Sequence, residues 1–293
     1  MSYTRTLLLT SLAMLAFASN SLICRIALKH TGIDAGSFTT IRLLSGAIVL
    51  WLLVRIRRGP QVARGSWLSA SALFVYAAGF SFAYISLPVA TGSLLLFGAV
   101  QVTMIGYGIW SGERLRGLQL IGLTLAFGGL VGLLLPGLSE PPLYSSILML
   151  GAGAAWGIYS LRGKGAADPT SVTAGNFLRA APIAIIMSAL MFKGTSLNNV
   201  GVWYAISSGA LASGIGYAIW YAALPGLKAT NAAAVQLSVP VVAALGGIVF
   251  LGEPISVRLV LASIAILGGI TLVILEKQQA NIVQESMHES YNK

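Results

Sequence analysis

Long, charge-poor runs of apolar residues recur along this chain, at 7–28, 37–56, 66–86, 89–111, 117–136, 142–162, 170–192, 200–223, 229–251 and 257–275. Pro, Gly and charged residues bound them. A membrane-spanning helix needs about 20 predominantly apolar residues, so each run predicts one span. Residues 65–112 carry no charge at all. That stretch reads as two spans hinged at Leu87-Pro88, because Pro lacks the N–H donor that continues a helix. The first span passes Cys24 without a small-residue cleavage pattern and reads as a retained helix, not a signal peptide. The predicted fold is an all-α membrane protein with ten transmembrane helices.

Composition agrees with that pattern. Of 293 residues, 56% are hydrophobic and 9% are charged, where a soluble domain carries roughly 25% charged residues. Mean hydropathy is +0.84. Too few polar side chains exist to coat a water-soluble surface. Ten spans leave only short loops and two tails, with no room for a soluble catalytic or nucleic-acid-binding domain. The net charge of +10 is explained by where the cations fall. With the N-terminus inside, Arg5, Arg55, Arg57, Arg58, Arg64, Arg114, Arg116, Arg162, Lys164, Lys228, Lys277 and Lys293 lie on the inner side. Lys29, Lys193 and Arg258 lie outside, and Arg25, Arg42 and Arg179 fall within spans. This bias follows the positive-inside rule and predicts two cytoplasmic termini. The basic charge therefore reports topology and anionic headgroups, with no nucleic-acid partner.

What is absent limits the chemistry. The carboxylates Asp34, Glu113, Glu140, Asp168, Glu253, Glu276, Glu285 and Glu289 all lie in loops, tails or span ends. Cys24 stands alone, and His30 and His288 lie outside the best spans. No cluster offers a metal site or an activated nucleophile, so neither an enzyme nor a cofactor is expected.

The chain also resembles itself. GFSFAYISLP at 79–88 and GYAIWYAALP at 216–225 share Gly, Tyr, Leu and Pro at an offset of 137, which also pairs Arg25 with Arg162 and Arg42 with Arg179. Gly112-Glu113 pairs with Gly252-Glu253 after a short slip, and Gly128-Gly129 with Gly268-Gly269 at an offset of 140. Five spans per unit is an odd number, so the second unit enters the bilayer from the opposite side. Inverted repeats of this kind are a common construction of secondary transporters. The expected units are 1–139 and 140–276, followed by a polar cytoplasmic tail at 277–293.

Ten spans in two five-helix repeats, each with a Gly-Glu ending its fourth helix and a Gly-Gly in the next, resemble the drug/metabolite transporter superfamily of EamA type. Overall the sequence is most similar to the YddG-type amino acid exporters of bacterial inner membranes. That resemblance implies a multi-pass inner-membrane protein exporting amino acids, aromatic ones among them, by alternating access. Its partners would be small-molecule substrate and lipid, and a monomer with two fused halves would suffice.

Several residue sets admit both a structural and a functional reading. Gly108–Gly112 and Gly153–Gly157 have the GxxxG spacing, and Gly128, Gly129 and Gly132 form a small face; these predict close helix packing. Arg42 and Arg179 are helix ties to carbonyls or headgroups, or else anchors for a substrate carboxylate. Tyr76, Phe80 and Tyr84 recur every four residues on the third span, with Tyr217, Trp220 and Tyr221 on the eighth and Trp156 and Tyr159 late in the sixth. They pack against helices or lipid, or they wall a cavity; Trp51, Trp67 and Trp203 suit an interfacial belt. Asn20, Gln101 and Gln236 lie mid-span, where an unpaired amide is costly, so they bond across helices or line that cavity. The candidate substrate-binding set is Asn20, Tyr76, Phe80, Tyr84, Gln101, Trp156, Tyr159, Tyr217, Tyr221 and Gln236. An exporter of cationic drugs or other small metabolites is the alternative. It lacks the membrane carboxylate that would hold a cation.

Overall fold

The computed structural model describes residues 3–58, 65–112, 117–135, 141–163, 166–191, 194–227 and 235–291. Outside them lie Glu113, Glu140, the loop cations Arg64, Arg114, Arg116, Lys164, Lys193 and Lys228, and Lys293. The described residues contain helices and no strand. In chain order these are α1 (Tyr3–His30), α2 (Ala35–Arg58), α3 (Trp67–Tyr84), α4 (Val89–Trp110), α5 (Gly117–Leu134), α6 (Leu143–Gly163), α7 (Pro169–Leu190), α8 (Asn199–Gly226), α9 (Ser238–Leu251) and α10 (Val257–Tyr291). Seven of the described helices are long and apolar enough to cross a bilayer: α1 to α5, α7 and α8. Large apolar side chains such as Ile56, Leu120, Phe127, Ile186, Val249 and Leu261 face outward. Buried Asn20, Arg25, Arg42, Gln101 and Asn176 face inward. That inside-out distribution suits lipid as the surrounding solvent.

Local chemistry sets the helix ends. Asp34 opens α2, its carboxylate accepting from Ser37 N at 2.9 Å and from Ser196 N at 2.9 Å. Burial alone would raise this carboxyl; the Ser37 hydroxyl and the N–H groups of Ser37, Ser196 and Gly36 outweigh it and hold it below the ordinary value. Asp168 caps α7 ahead of Pro169, which sits at a first-turn position that needs no donor. Asn198 caps α8 through Val200 N and Gly201 N. At the other pole, Gly252 ends α9 with φ of +61° and donates to Ile248 O at 3.1 Å. Gly112 follows α4 with φ of +94°. The glycine of each Gly-Glu pair thus takes a left-handed conformation that other residues avoid.

Glycine also sets how close the helices come, with two corrections to the expected faces. Gly153 lies against Leu96 O and Ala99, and Gly157 against Thr103, so α6 presses on α4 as the GxxxG spacing predicts. On α5 the small face is instead Gly122, Ala126 and Gly129. Gly122 and Ala126 meet Gly269 of α10, and Gly129 meets Ala262, Ala265 and Ile266. Gly128 and Gly132 meet nothing there, because residues on that face recur at four and three, not one. Gly112 is a cap and not a packing residue, since a Cβ there would meet open space.

Two further features go beyond the predicted spans. α8 widens to a π-helix over Ser208–Ile215, where Gly209 lies directly against the backbone carbonyl of Arg42 on α2. α10 does not stop at residue 275 but continues to Tyr291. Its tail holds no Gly or Pro to break it.

Candidate functional site

A cavity of about 410 Å³ lies among α1, α3, α4, α6, α7 and α8, within the roughly 300–1,000 Å³ of small-molecule sites. Nine of the ten sequence-predicted residues line it: Asn20, Tyr76, Phe80, Gln101, Trp156, Tyr159, Tyr217, Tyr221 and Gln236. None of the described lining residues is an Asp, Glu, Lys, Arg or His. The described residues also hold no group of three or more His, Cys, Asp and Glu able to hold a metal ion.

Aromatic rings build most of the wall. Trp156 on α6 is the centre, stacked on Tyr217 (5.3 Å, 18°) and on Tyr159 (5.3 Å, 23°), with Tyr76 tilted against it at 4.8 Å. Phe80 meets Tyr76 at 5.5 Å, and Tyr221 stacks on Tyr217 at 6.5 Å. Flat rings of this kind give an apolar side chain a wide contact surface, and their hydroxyls give polar groups a partner.

Two hydrogen-bond chains run behind the rings. In one, Ser208 Oγ donates to Asn20 Oδ1 at 2.6 Å, and Asn20 Nδ2 donates to the Tyr76 hydroxyl at 3.4 Å. In the other, Asn176 Nδ2 donates to Tyr159 Oη at 3.4 Å, which donates to Thr173 Oγ1 at 3.3 Å, which donates to Tyr221 Oη at 3.2 Å. Asn176 and Thr173 were not among the predicted residues. Their signal was an amide and a hydroxyl three residues apart on one face of an apolar helix.

Tyr84 is placed elsewhere. It is fully buried and edge-on to Phe80 at 4.7 Å; its ring lies against Gly92 and its hydroxyl donates to Val89 O. It belongs to the hinge between α3 and α4, behind the wall. Beside it, Arg25 donates to Tyr84 O at 2.9 Å and Ile85 O at 2.7 Å, and pairs with Glu253 at 3.4 Å. Glu253 also accepts from Val89 N at 2.7 Å. This clasp joins α1, the α3–α4 hinge and the end of α9. Arg25 is therefore a helix tie. So is Arg179, which donates to Gly175 O and sits over the Trp67 ring at 5.9 Å.

Arg42 differs. Only 2% of it is exposed. Its guanidinium lies over Phe80 at 4.8 Å and Tyr76 at 5.2 Å, and it donates to the Tyr76 hydroxyl at 3.0 Å. Among the described residues its Nη1 has no partner.

Residues 143–275 match the EamA-like transporter family. An uncharacterized protein of Pseudomonas aeruginosa is 58% identical over 271 residues, covering 92% of this chain and 94% of its own. An uncharacterized transporter of Archaeoglobus fulgidus is 26% identical over 94% of this chain and 99% of its own. The threonine/homoserine exporter RhtA of Salmonella typhimurium is 31% identical over 56% of this chain and 58% of its own. A solved crystal structure shares the fold, with a TM-score of 0.67 at 19% identity over 94% of this chain and 98% of that one.

Proposed function

We propose that this chain, whose residues 143–275 match the EamA-like transporter family, exports amino acids, aromatic ones among them, by alternating access across a bacterial inner membrane. The observation that carries this reading is the cavity: uncharged, aromatic-walled and lined by nine residues predicted as a set. An aromatic or aliphatic side chain packs on Trp156, Tyr217 and Tyr221, while amides and hydroxyls meet the polar end. An apolar pocket discriminates by only ~1–3 kcal/mol per methylene, so specificity is broad. Similarity to a threonine/homoserine exporter supports an amino acid as cargo. A cationic drug is disfavoured, since the described lining residues offer no carboxylate.

Ten spans in two inverted five-helix repeats, 1–139 and 140–276, form the frame of this reading. Helix packing supports it. Replacing each helix by the one five places away turns the α3–α6 contact into α8–α1, α4–α6 into α9–α1, and α2–α8 into α7–α3. The α2–α7, α4–α9 and α5–α10 contacts map onto themselves. Two such halves can exchange conformations.

The conformation described is the inward-facing one. The cavity reaches Gly163, Ala166 and Pro169 at the α6–α7 junction, on the side that the loop cations assign to the cytoplasm. The opposite end is shut by the Arg25–Glu253 clasp. Arg162, the repeat counterpart of Arg25, is exposed and donates to Ser66 and Ser69. Likewise Tyr221 lines the cavity while its counterpart Tyr84 is enclosed. Exchange of the halves brings Tyr84 to the cavity in the outward-facing form. With no carboxylate, histidine, lysine or arginine among the described lining residues, transport runs down the substrate gradient without a proton. Both termini are cytoplasmic, and one chain forms a complete pathway.

Uptake of a panel of labelled amino acids into proteoliposomes tests this. Trp156→Ala and Tyr221→Ala should each weaken apparent affinity by about tenfold or more. Absence of uptake for every amino acid would overturn the reading.

A further inference from the structure

We propose that the Tyr76 hydroxyl, made an obligate donor by buried Arg42, is the recognition point for the carboxylate of the transported molecule. This rests on the amino acid transport reading and names the group by which that site selects its cargo.

Hydrogen-bond direction carries the argument. Ser208 Oγ donates to Asn20 Oδ1, and in the same orientation the amide turns its Nδ2 to Tyr76. The Tyr76 oxygen then receives two donors, Asn20 Nδ2 at 3.4 Å and Arg42 Nη2 at 3.0 Å. Arg42 carries no acceptor, so it cannot take the phenolic proton. No acceptor for that proton is found among the described residues, and Tyr76 lines the cavity. The hydroxyl is left to donate into the cavity.

Charge points the same way. Arg25 is paired with Glu253, whereas Arg42 is a buried cation with no counter-ion among the described residues. Its Nη1 also lacks a partner. Aromatic faces of Tyr76 and Phe80 stabilise it in part. A charge in hydrocarbon is costly unless paired, and an incoming carboxylate supplies the missing charge. A bond from O–H to a carboxylate is also stronger than one to a neutral oxygen. Tyr76 touches the cargo, and Arg42 is a positioning residue that acts through it. A protonated amine at the same place would meet a donor and a like charge, and a carboxamide would accept only a weaker neutral bond and leave Arg42 without a counter-charge.

The test is binding of L-phenylalanine, L-threonine and their carboxamides to purified full-length protein in nanodiscs, read as the acid-to-amide affinity ratio. The wild type should favour at least one acid over its amide by about tenfold or more. Tyr76→Phe, which keeps the ring, should bring that ratio close to one, as should Arg42→Gln. Arg42→Lys should restore part of the preference. The ratio compares two ligands on one protein, so a general loss of stability does not move it; if Arg42 variants fail to fold, Tyr76→Phe decides. A wild-type ratio near one, or an unchanged ratio in Tyr76→Phe, would overturn the inference while leaving amino acid binding intact. Binding of neither acids nor amides would overturn the transport reading and this inference together.

Discussion

Tyr76, Phe80 and Tyr84 illustrate how far residue spacing reaches. Steps of four along a helix advance about 40° past one turn each, so Tyr84 lies about 80° round and about 12 Å along from Tyr76. The first two residues share the cavity wall, and the third has rotated into the hinge. Periodicity therefore located the face but not its end. Arg42 was legible as a costly residue, yet its place behind Tyr76 and Phe80 depends on how α2 meets α3, which no local pattern encodes. The two tyrosines related by the repeat should respond differently to truncation. Tyr221→Ala should weaken binding from the cytoplasmic side with a small change in melting temperature. Tyr84→Ala should lower stability by about 3–5 kcal/mol and leave affinity from that side nearly unchanged. Ligand titration and thermal melting of the two variants check this.

Element boundaries were the most legible feature, because lipid demands apolar runs and the chain marks their ends with Pro, Gly and charge. Leu87-Pro88 does separate α3 from α4. The π-helical turn in α8 was not legible, since it accompanies a backbone approach of α2 at Gly209 that only the packed structure creates. The face of α5 toward α10 was legible as glycine but not in register. Gly122→Leu should hinder packing on Gly269 and destabilise by about 1–3 kcal/mol or more, whereas Gly128→Leu, with open space around it, should melt like the wild type. Paired thermal melts decide between them. The clasp at the end of α9 yields a second prediction at this scale. Cys24 is fully buried next to Arg25, so it should resist maleimide. Glu253→Gln removes the counter-charge of Arg25, favours the open clasp and should speed labelling of Cys24. Equal labelling rates in both proteins would argue against the clasp as the closure.

For the whole molecule, the sequence repeat is the basis of the proposed two-fold arrangement, and the helix partnerships are those that such an arrangement would produce. What the sequence did not reveal is the asymmetry within that arrangement. Arg25 and Arg162 correspond in the sequence repeat, yet one is clasped and the other exposed; under the proposed exchange of halves a single conformation would have this property, and the amino acid pattern would be common to both conformations. Reporter fusions at residues 1 and 293 should both report the cytoplasm. The most direct measurement is counterflow. Proteoliposomes loaded with unlabelled amino acid, at equal pH inside and out, should accumulate the labelled form transiently. A sealed, non-exchanging vesicle, or exchange that requires a pH gradient, would contradict a proton-independent pathway alternating between two faces of the membrane.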